Sequence, residues 1–368
     1  MIIAYDLRYA ADHFTGIGTH AACLFEALLS LPGDERYVAI WNPDLVQSRF
    51  DPEKVRSNPR VRWIECSIPP VHPTTAWRTG GLLRRIVPDV YFSPYYLLPW
   101  YAPCPSVLTI HDVRPLRYPE GLSWAQRWMY RWAITAAGRA HTVLTSSESS
   151  RREIVALSRI PAARLGVVPP GIPPSSAQSA PRRPAALGDG RFALVVGENR
   201  PHKNLRVLAQ AWALPEGERP ALPLVSAGPI DARHPGLDAL AEGAGARDVI
   251  ALGRVAQDEL EWLYEHASVV LFPTLYEGFG FPLVEGLWKG RSVIASRIPV
   301  LTELSAVGVR FCDPHDPQEW ARAVREVVGD PQLPERIRAA RPELTSRFSY
   351  ERVAAQTLEA FRGCAGRA

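Results

Sequence analysis

The sequence predicts an α/β protein built from two parallel-sheet domains joined by a hinge, with a cleft between them. Three observations lead there. Apolar, strand-like runs alternate with helix-length segments along the whole chain, as parallel α/β architectures require. The 368 residues suit two domains, or one large α/β body. One Pro-, Gly-, Ser- and Ala-rich stretch, Pro169 to Gly190, breaks the alternation and reads as a linker, set at 171–190.

In order, the first half offers strands at Ile2–Tyr5, Tyr37–Trp41, Arg62–Glu65, Val90–Phe92, Ser106–Ile110 and Thr142–Thr145. The second half offers Phe192–Val196, Leu222–Ser226, Val249–Leu252, Val269–Phe272, Ser292–Ala295 and Val309–Phe311. Each is a short apolar run rich in β-branched or aromatic residues, bounded by turn formers. Helices are expected between them at Thr19–Leu31, Ser123–Gly138, Glu259–His266, Pro282–Lys289 and Pro317–Val328. Domains are expected at 1–170 and 191–348, each large enough for its own sheet.

Composition narrows the class. Hydrophobic residues make up 46% and charged residues 22%, which excludes global disorder and fibrous repeats. The net charge of +4 is too small for a dedicated nucleic-acid binder, and the excess sits in residues 1–170. The five cysteines are widely spaced without a CxxC pair, so reduced thiols packed in the core are expected rather than a disulfide framework or a zinc site. Met1-Ile2-Ile3-Ala4-Tyr5 lacks the basic and long apolar regions of a secretory signal, and no apolar run is long enough to span a bilayer. The expected location is cytoplasmic, with peripheral attachment at the inner face of the membrane as the remaining option.

Open parallel sheets bind ligands outside the carboxyl ends of their strands, so the informative residues should lie in the loops that follow strands. The strongest segment runs Phe272-Pro-Thr-Leu-Tyr-Glu277-Gly278-Phe279-Gly280-Phe281-Pro282-Leu-Val-Glu285. It follows a buried-looking strand and opens a helix at Pro282, with Glu285 expected in the first turn. Its glycines permit close backbone approach, and the N–H groups of a helix start suit a phosphate. Carboxylates in such places suit sugar hydroxyls. The residues alone equally allow a glycine turn with solvent-facing glutamates.

Glu277 and Glu285 have seven residues between them, and the segment resembles the E-x7-E motif of retaining GT-B glycosyltransferases, closest to glycosyltransferase family four. That group contains many mannosyl- and rhamnosyl-transferases of polysaccharide assembly. Other stations occur in the expected order. Val196-Gly197-Glu198-Asn199-Arg200-Pro201-His202-Lys203-Asn204 is similar to the family's phosphate loop, with Lys203 at the lysine position. Glu198 stands where many members carry arginine, which leaves Arg200 and His202 as candidates for the second cation. Leu252-Gly253-Arg254-Val255 resembles the turn beside the nucleobase. Thr109-Ile110-His111-Asp112-Val113 resembles the His-Asp station, and Phe14-Thr15-Gly16-Ile17-Gly18-Thr19 the glycine loop after the first strand. Phe348-Ser349-Tyr350-Glu351 is similar to the Phe-Ser-Trp region before the last helix, with Tyr350 replacing tryptophan.

The resemblance implies a GT-B fold: two Rossmann-like, doubly wound parallel-sheet domains facing across a cleft. The final helix, about 349–368, would cross back onto the N-terminal domain. It implies a metal-independent, retaining hexosyltransferase without a cofactor. The chain has no Asp-x-Asp triplet to seat a divalent metal. The implied catalytic residues are His111, Glu277 and Lys203. The implied binding residues are Gly16, Gly18, Arg200, Lys203, Val255, Glu277, Gly278, Phe279, Gly280, Phe281 and Glu285. Lys203 and the amides near Gly280 would hold the diphosphate, Glu285 the ribose, and Glu277 the donor sugar, with His111 orienting it. The C-terminal domain would bind the nucleotide sugar and the N-terminal domain a glycan or lipid-linked oligosaccharide, and hinge closure would exclude water. GDP-mannose is the first donor choice, with UDP- or dTDP-sugars behind it. The competing readings are a GT-B nucleotide-sugar hydrolase or epimerase, and a non-catalytic two-domain sugar-binding protein.

Three further signals stand apart from these motifs. Trp124, Trp128 and Trp132 recur every four residues beside Arg127 and Arg131. That spacing is expected to mark the core face of a helix, the alternative being an aromatic-basic stripe lying on a membrane. Val71–Arg78 is expected to be a loop, either acceptor-binding or plain surface. Arg84-Arg85 is expected to be a solvated pair, with anionic lipid or phosphate as the alternative.

Overall fold

The computed structural model describes residues 1–46, 50–72, 74–119, 121–173 and 180–366, without the side chain of Thr15. The chain divides into two compact units, Met1–Pro173 with Phe348–Ala368, and Pro174–Arg347.

The first unit holds strands β1 (Ile2–Asp6), β2 (Arg36–Trp41), β3 (Val61–Glu65), β4 (Val90–Ser93), β5 (Ser106–Thr109), β6 (Thr142–Thr145) and β7 (Leu165–Val167). All pair in parallel, in the order β3-β2-β1-β4-β5-β6-β7. β7 was not anticipated, because three residues containing a glycine carry no strand-length apolar run. The strands are apolar on both sides because helices cover both faces. Ile3 and Tyr5 pack under helices Thr15–Ser30 and Tyr350–Ala365, whereas Ala4 packs with Leu83 and Ile86 of helix Thr75–Ile86. Helix Tyr350–Ala365, started by the Ser349 cap, places Val353, Leu358 and Phe361 in this core. The last two residues of the expected 349–368 helix lie outside the described residues.

The second unit holds β8 (Ala193–Val196), β9 (Leu224–Ala227), β10 (Val249–Ala251), β11 (Val269–Phe272), β12 (Val293–Ser296) and β13 (Val309–Cys312). They pair in parallel in the order β10-β9-β8-β11-β12-β13. In both sheets the order runs outward in both directions from the first strand, the doubly wound Rossmann arrangement. The order reverses between β1 and β4 in one sheet and between β8 and β11 in the other. Ligands of such sheets bind at that reversal.

Several expectations need correction. Phe14–Thr19 is not a loop. Helix Thr15–Ser30 already begins there, so Gly16 and Gly18 occupy its first turn, preceded by the 3-10 turn Leu7–Ala10. A Cβ at Gly18 would stand 2.9 Å from the Ala11 carbonyl oxygen, so the glycine serves helix-to-turn packing. Val71–Arg78 is loop only up to Thr74, since helix Thr75–Ile86 starts inside it, and Pro73 lies outside the described residues. Of the expected linker 171–190, residues 174–179 lie outside the described residues. The part from 180 onward rests on the second unit: Arg182 pairs with Asp258 and Glu259, Arg183 lies over Trp262, and Leu187 is buried.

The tryptophan stripe is also reversed. Helix Trp124–Ala137 is set by a Ser123–Gln126 capping box and ends at Gly138. It buries Ala133, Ile134 and Ala137 and leaves Trp124, Trp128 and Trp132 exposed.

Two outcomes follow from this packing. The backbones of Gly197, after β8, and Gly228, after β9, touch, and a Cβ at Gly228 would stand 2.2 Å from the Gly197 carbonyl oxygen. Gly228→Ala should therefore cost the second unit about 1–3 kcal/mol, read as a lower urea midpoint. His20 of helix Thr15–Ser30 is buried, and its Nδ1 has no hydrogen-bond partner among the described residues. Burial, with His111 nearby, pushes its pKa down to about 3. The folded state thus keeps it neutral while the unfolded chain protonates near 6.5. Its contribution is fully present above about pH 6.5 and is lost as pH falls toward 3, at up to about 1.4 kcal/mol per pH unit. His20→Phe should flatten the loss of stability between pH 7 and pH 5; an unchanged slope would count against this origin.

Candidate functional site

The loops after β8 and β11 emerge side by side, because these strands are direct parallel neighbours at the reversal of the second sheet. The β8 loop carries Gly197–Arg200 and then the short 3-10 turn Pro201–Lys203. Asn204 follows at φ +53°, a left-handed conformation that asparagine tolerates. Its side-chain amide donates to the carbonyls of Pro273 and Pro314 at 3.1 and 2.7 Å, fastening the turn to the loops after β11 and β13. The Leu275 N–H donates to the His202 carbonyl at 2.7 Å. Thr274 Oγ1, fully buried, lies 3.0 Å from the same oxygen.

This stitching brings Lys203 and Glu277 together. Lys203 Nζ donates to Glu277 Oε1 at 2.6 Å, with the side chains 21% and 18% exposed. The ammonium also lies 5.5 Å from the centroid of the Phe272 ring. Both charges therefore stand at one partly buried point that solvent still reaches. Arg200 is held differently. Its guanidinium makes a two-point contact with Glu198, Nε to Oε2 at 2.7 Å and a second N–H to Oε1 at 3.2 Å. The glutamate in the family's arginine position thus holds the nearby arginine.

Gly280, at φ +131°, precedes helix Phe281–Trp288. A Cβ there would meet Leu301 Cδ2 at 2.6 Å, so both the conformation and the space require glycine. Because the helix starts at Phe281, Glu285 lies in its second turn and not its first. Gly278, Phe279 and Gly280 are buried, and Phe279 and Phe281 meet edge to face. Glu285 accepts from the Tyr264 hydroxyl at 2.8 Å. Burial pushes its carboxyl above the usual range, while the Tyr264 hydrogen bond and Lys289 pull the other way. Val255 lies half-buried in the short segment between β10 and helix Gln257–His266. The Gly253 carbonyl, two residues earlier, accepts from the Gly228 N–H at 2.8 Å.

The first unit collects its own set. His111 follows β5. Its Nε2–H donates to the Pro94 carbonyl at 3.1 Å, leaving Nδ1 to accept from the Ser146 hydroxyl at 3.3 Å. Burial lowers its pKa, so the ring is neutral. Its ring meets that of His20 edge to face at 5.3 Å, which joins it to the helix that starts with Gly16 and Gly18. A buried ion pair anchors the same end of the sheet. Arg8 and Asp6 contact at 2.6 Å, the Tyr91 hydroxyl donates to Asp6, and Arg8 reaches Thr79 and the Ile68 carbonyl.

The second unit therefore brings Lys203, Glu277 and the Gly280 helix start to one strand edge, with Glu285 one turn further along that helix. Sequence reasoning missed Asn204, Thr274, Tyr264, Gly228 and His20. Gly228-Pro229 after a strand was the one legible signal among them. The others act through partners far away in the chain. Among the described residues, no group of three or more His, Cys, Asp or Glu could hold a metal ion. No helix among them is long and apolar enough to cross a membrane.

Comparison with known proteins agrees with this geometry. Residues 178–343 match the model of glycosyl transferases group 1, and residues 14–176 that of glycosyltransferase family 4. The O-antigen chain mannosyltransferase B of Escherichia coli is 30% identical over 302 residues, covering 79% of this chain and 78% of that protein. The D-inositol 3-phosphate glycosyltransferase of Thermobispora bispora is 30% identical over 299 residues, covering 74% and 70%. Among solved structures, a sucrose-phosphate synthase of Thermosynechococcus elongatus superposes over 100% of both chains with a TM-score of 0.72 at 18% identity. Anabaena HepE in complex with UDP covers 98% of this chain and 99% of its own, with a TM-score of 0.66 at 17% identity. With both halves matched to their models and the two sheets in the doubly wound order, this chain belongs to the group 1, family 4 glycosyltransferases of the GT-B fold.

Proposed function

We propose that this chain is a retaining, metal-independent hexosyltransferase that moves mannose from GDP-mannose to a glycan or lipid-linked oligosaccharide in surface-polysaccharide synthesis. The observation that carries the reading is the 2.6 Å contact between Lys203 and Glu277. It sets a cation for the donor's diphosphate beside a carboxylate for the sugar's hydroxyls, at the edge of the sheet where such folds bind ligands. The mannosyl choice draws support from the E. coli O-antigen chain mannosyltransferase B and from the O-antigen chain mannosyltransferase RfbU of Salmonella typhimurium.

In this reading the arriving diphosphate takes Lys203 as its counter-ion and frees Glu277 to accept from sugar hydroxyls. The helix start after Gly280 adds its N–H groups and dipole on the phosphate side. Glu285 accepts from ribose, held in place by Tyr264. The acceptor hydroxyl attacks the anomeric carbon on the face the diphosphate leaves. The bond from that carbon to phosphate oxygen breaks as the new glycosidic bond forms. The acceptor's proton passes to the departing phosphate oxygen, so no protein base is required. Stabilisation of the leaving diphosphate by Lys203 is the main electrostatic contribution. His111, neutral and already bonded at both nitrogens, acts as a wall that orients the sugar. The N-terminal unit takes the acceptor.

A thermal-shift panel of GDP, UDP, dTDP and ADP tests the donor: GDP should raise the melting temperature most, and a larger shift with UDP or dTDP would replace the base. Glu277→Ala should cut turnover by about 100-fold or more with the fold intact. Near-normal transfer by that variant would remove Glu277 from the site. Lys203→Ala should weaken nucleoside diphosphate far more than nucleoside. The raised carboxyl of Glu285 supplies a pH test. Nucleotide affinity should fall on acidification at a pH above the ordinary value of about 4.3, as the carboxylate is protonated, and Glu285→Gln should abolish that dependence.

A further inference from the structure

The first unit carries an exposed aromatic and basic surface that the reading above leaves unused. Helix Trp124–Ala137 turns Ala133, Ile134 and Ala137 to the core and its three tryptophans and Met129 outward. Trp124 is 81% and Trp128 66% exposed. Each step of four residues advances about 40° around a helix, so Trp124, Trp128 and Trp132 form one stripe, with Arg127 and Arg131 along its flank. An ordinary surface helix has the opposite arrangement.

Trp132 links the stripe to the segment of Trp100 and Tyr101, which is bonded to a second helix. The Trp132 ring stacks on Trp100 at 5.9 Å with 17° between the planes. The Arg139 guanidinium lies 5.4 Å from the Trp100 ring, and that of Arg84 4.7 Å from the Tyr101 ring. The Trp100 N–H donates to Ala76 of helix Thr75–Ile86 at 2.8 Å, and the next residue, Trp77, is 71% exposed. Residues 75–86, 94–105 and 124–137 contain no Asp or Glu, yet the two helices carry Arg78, Arg84, Arg85, Arg127 and Arg131. Exposed large rings gathered in this way, with basic side chains among them, mark an interaction surface rather than scattered surface residues.

We infer that this face seats the N-terminal unit on an anionic lipid surface, with helix Trp124–Ala137 lying in the headgroup plane. The charge decides the occupant. Indole rings favour the bilayer interface, where an apolar body and a polar N–H are both accommodated. The all-basic rim is complementary to acidic headgroups. A protein partner or a second copy would have to bring acidic groups of its own, and this face brings none. The inference does not rest on the proposed chemistry, but it would hold a lipid-linked acceptor beside the unit assigned to take it.

The test is co-sedimentation of the full chain with vesicles of phosphatidylcholine alone or mixed with phosphatidylglycerol. The wild type should partition onto the mixed vesicles and weakly onto phosphatidylcholine. Trp124→Ser/Trp128→Ser should weaken partitioning by about tenfold or more, and Arg127→Gln/Arg131→Gln should erase most of the preference for the anionic lipid. Trp77→Ser, on the other helix, supplies an independent loss should the double variant fail to fold. Nucleotide thermal shifts should be unchanged in all of these variants, which separates failure here from failure of the glycosyltransferase reading. Equal partitioning of the wild type onto both vesicle types, or no loss in the tryptophan variants, overturns the inference. So does a concentration-dependent dimer that the same substitutions dissociate without any vesicle binding.

Discussion

The site in the second unit depends on the contact between Lys203 and Glu277. These residues are far apart in sequence, yet β8 and β11 are neighbours, so the loops after them leave the sheet at the same edge. The ion pair draws the two loops together, and the backbone around it leaves little slack. Asn204 ties the lysine's turn to two other loops, Leu275 holds the His202 carbonyl, glycines at 228 and 280 allow approaches that a Cβ would block, and Gly197 supplies a positive φ. A partly buried pair with partners fixed in this way loses less side-chain entropy on forming than an exposed one. It also keeps each charge compensated.

The first unit solves a related problem without an open charge. Its reversal point, between β1 and β4, is closed by Asp6 and Arg8, a fully buried pair whose remaining donors reach Thr79 and the Ile68 carbonyl. A buried pair is tolerable only when such partners are present. In the same unit, burial keeps His20 and His111 neutral. The two units therefore use one topology with opposite electrostatics. One edge offers a cation and a carboxylate at the surface. The other is neutral at its histidines and internally paired.

Much of this was legible in the sequence. The twelve anticipated strands occur with ends shifted by a residue or two, because parallel strands buried on both faces read as unbroken apolar runs. The Glu277–Glu285 segment and the Lys203 loop could be read through their resemblance to the family's motifs, and in the first of them local conformation demands two residues: glycine at Gly280 for a positive φ, proline at the helix start. The tryptophan stripe was misread for an equally physical reason. Spacing by four residues marks one face of a helix but not which face is covered, and Ala133 and Ala137 show the same spacing as Trp128 and Trp132. Ala133, Ile134 and Ala137 took the inner face and left the large rings outside.

By itself, then, the sequence determined the class of fold, the two-sheet plan and the loops that form the candidate site. These follow from periodicity, turn residues and motifs that span a few positions. The tertiary structure decided which of those residues meet. It paired Glu198 with Arg200, joined Lys203 to Glu277, gave Glu285 its tyrosine and placed His20 against His111. It also turned three tryptophans outward. Strand order and helix packing set those contacts, and neither is written in any local stretch of the chain.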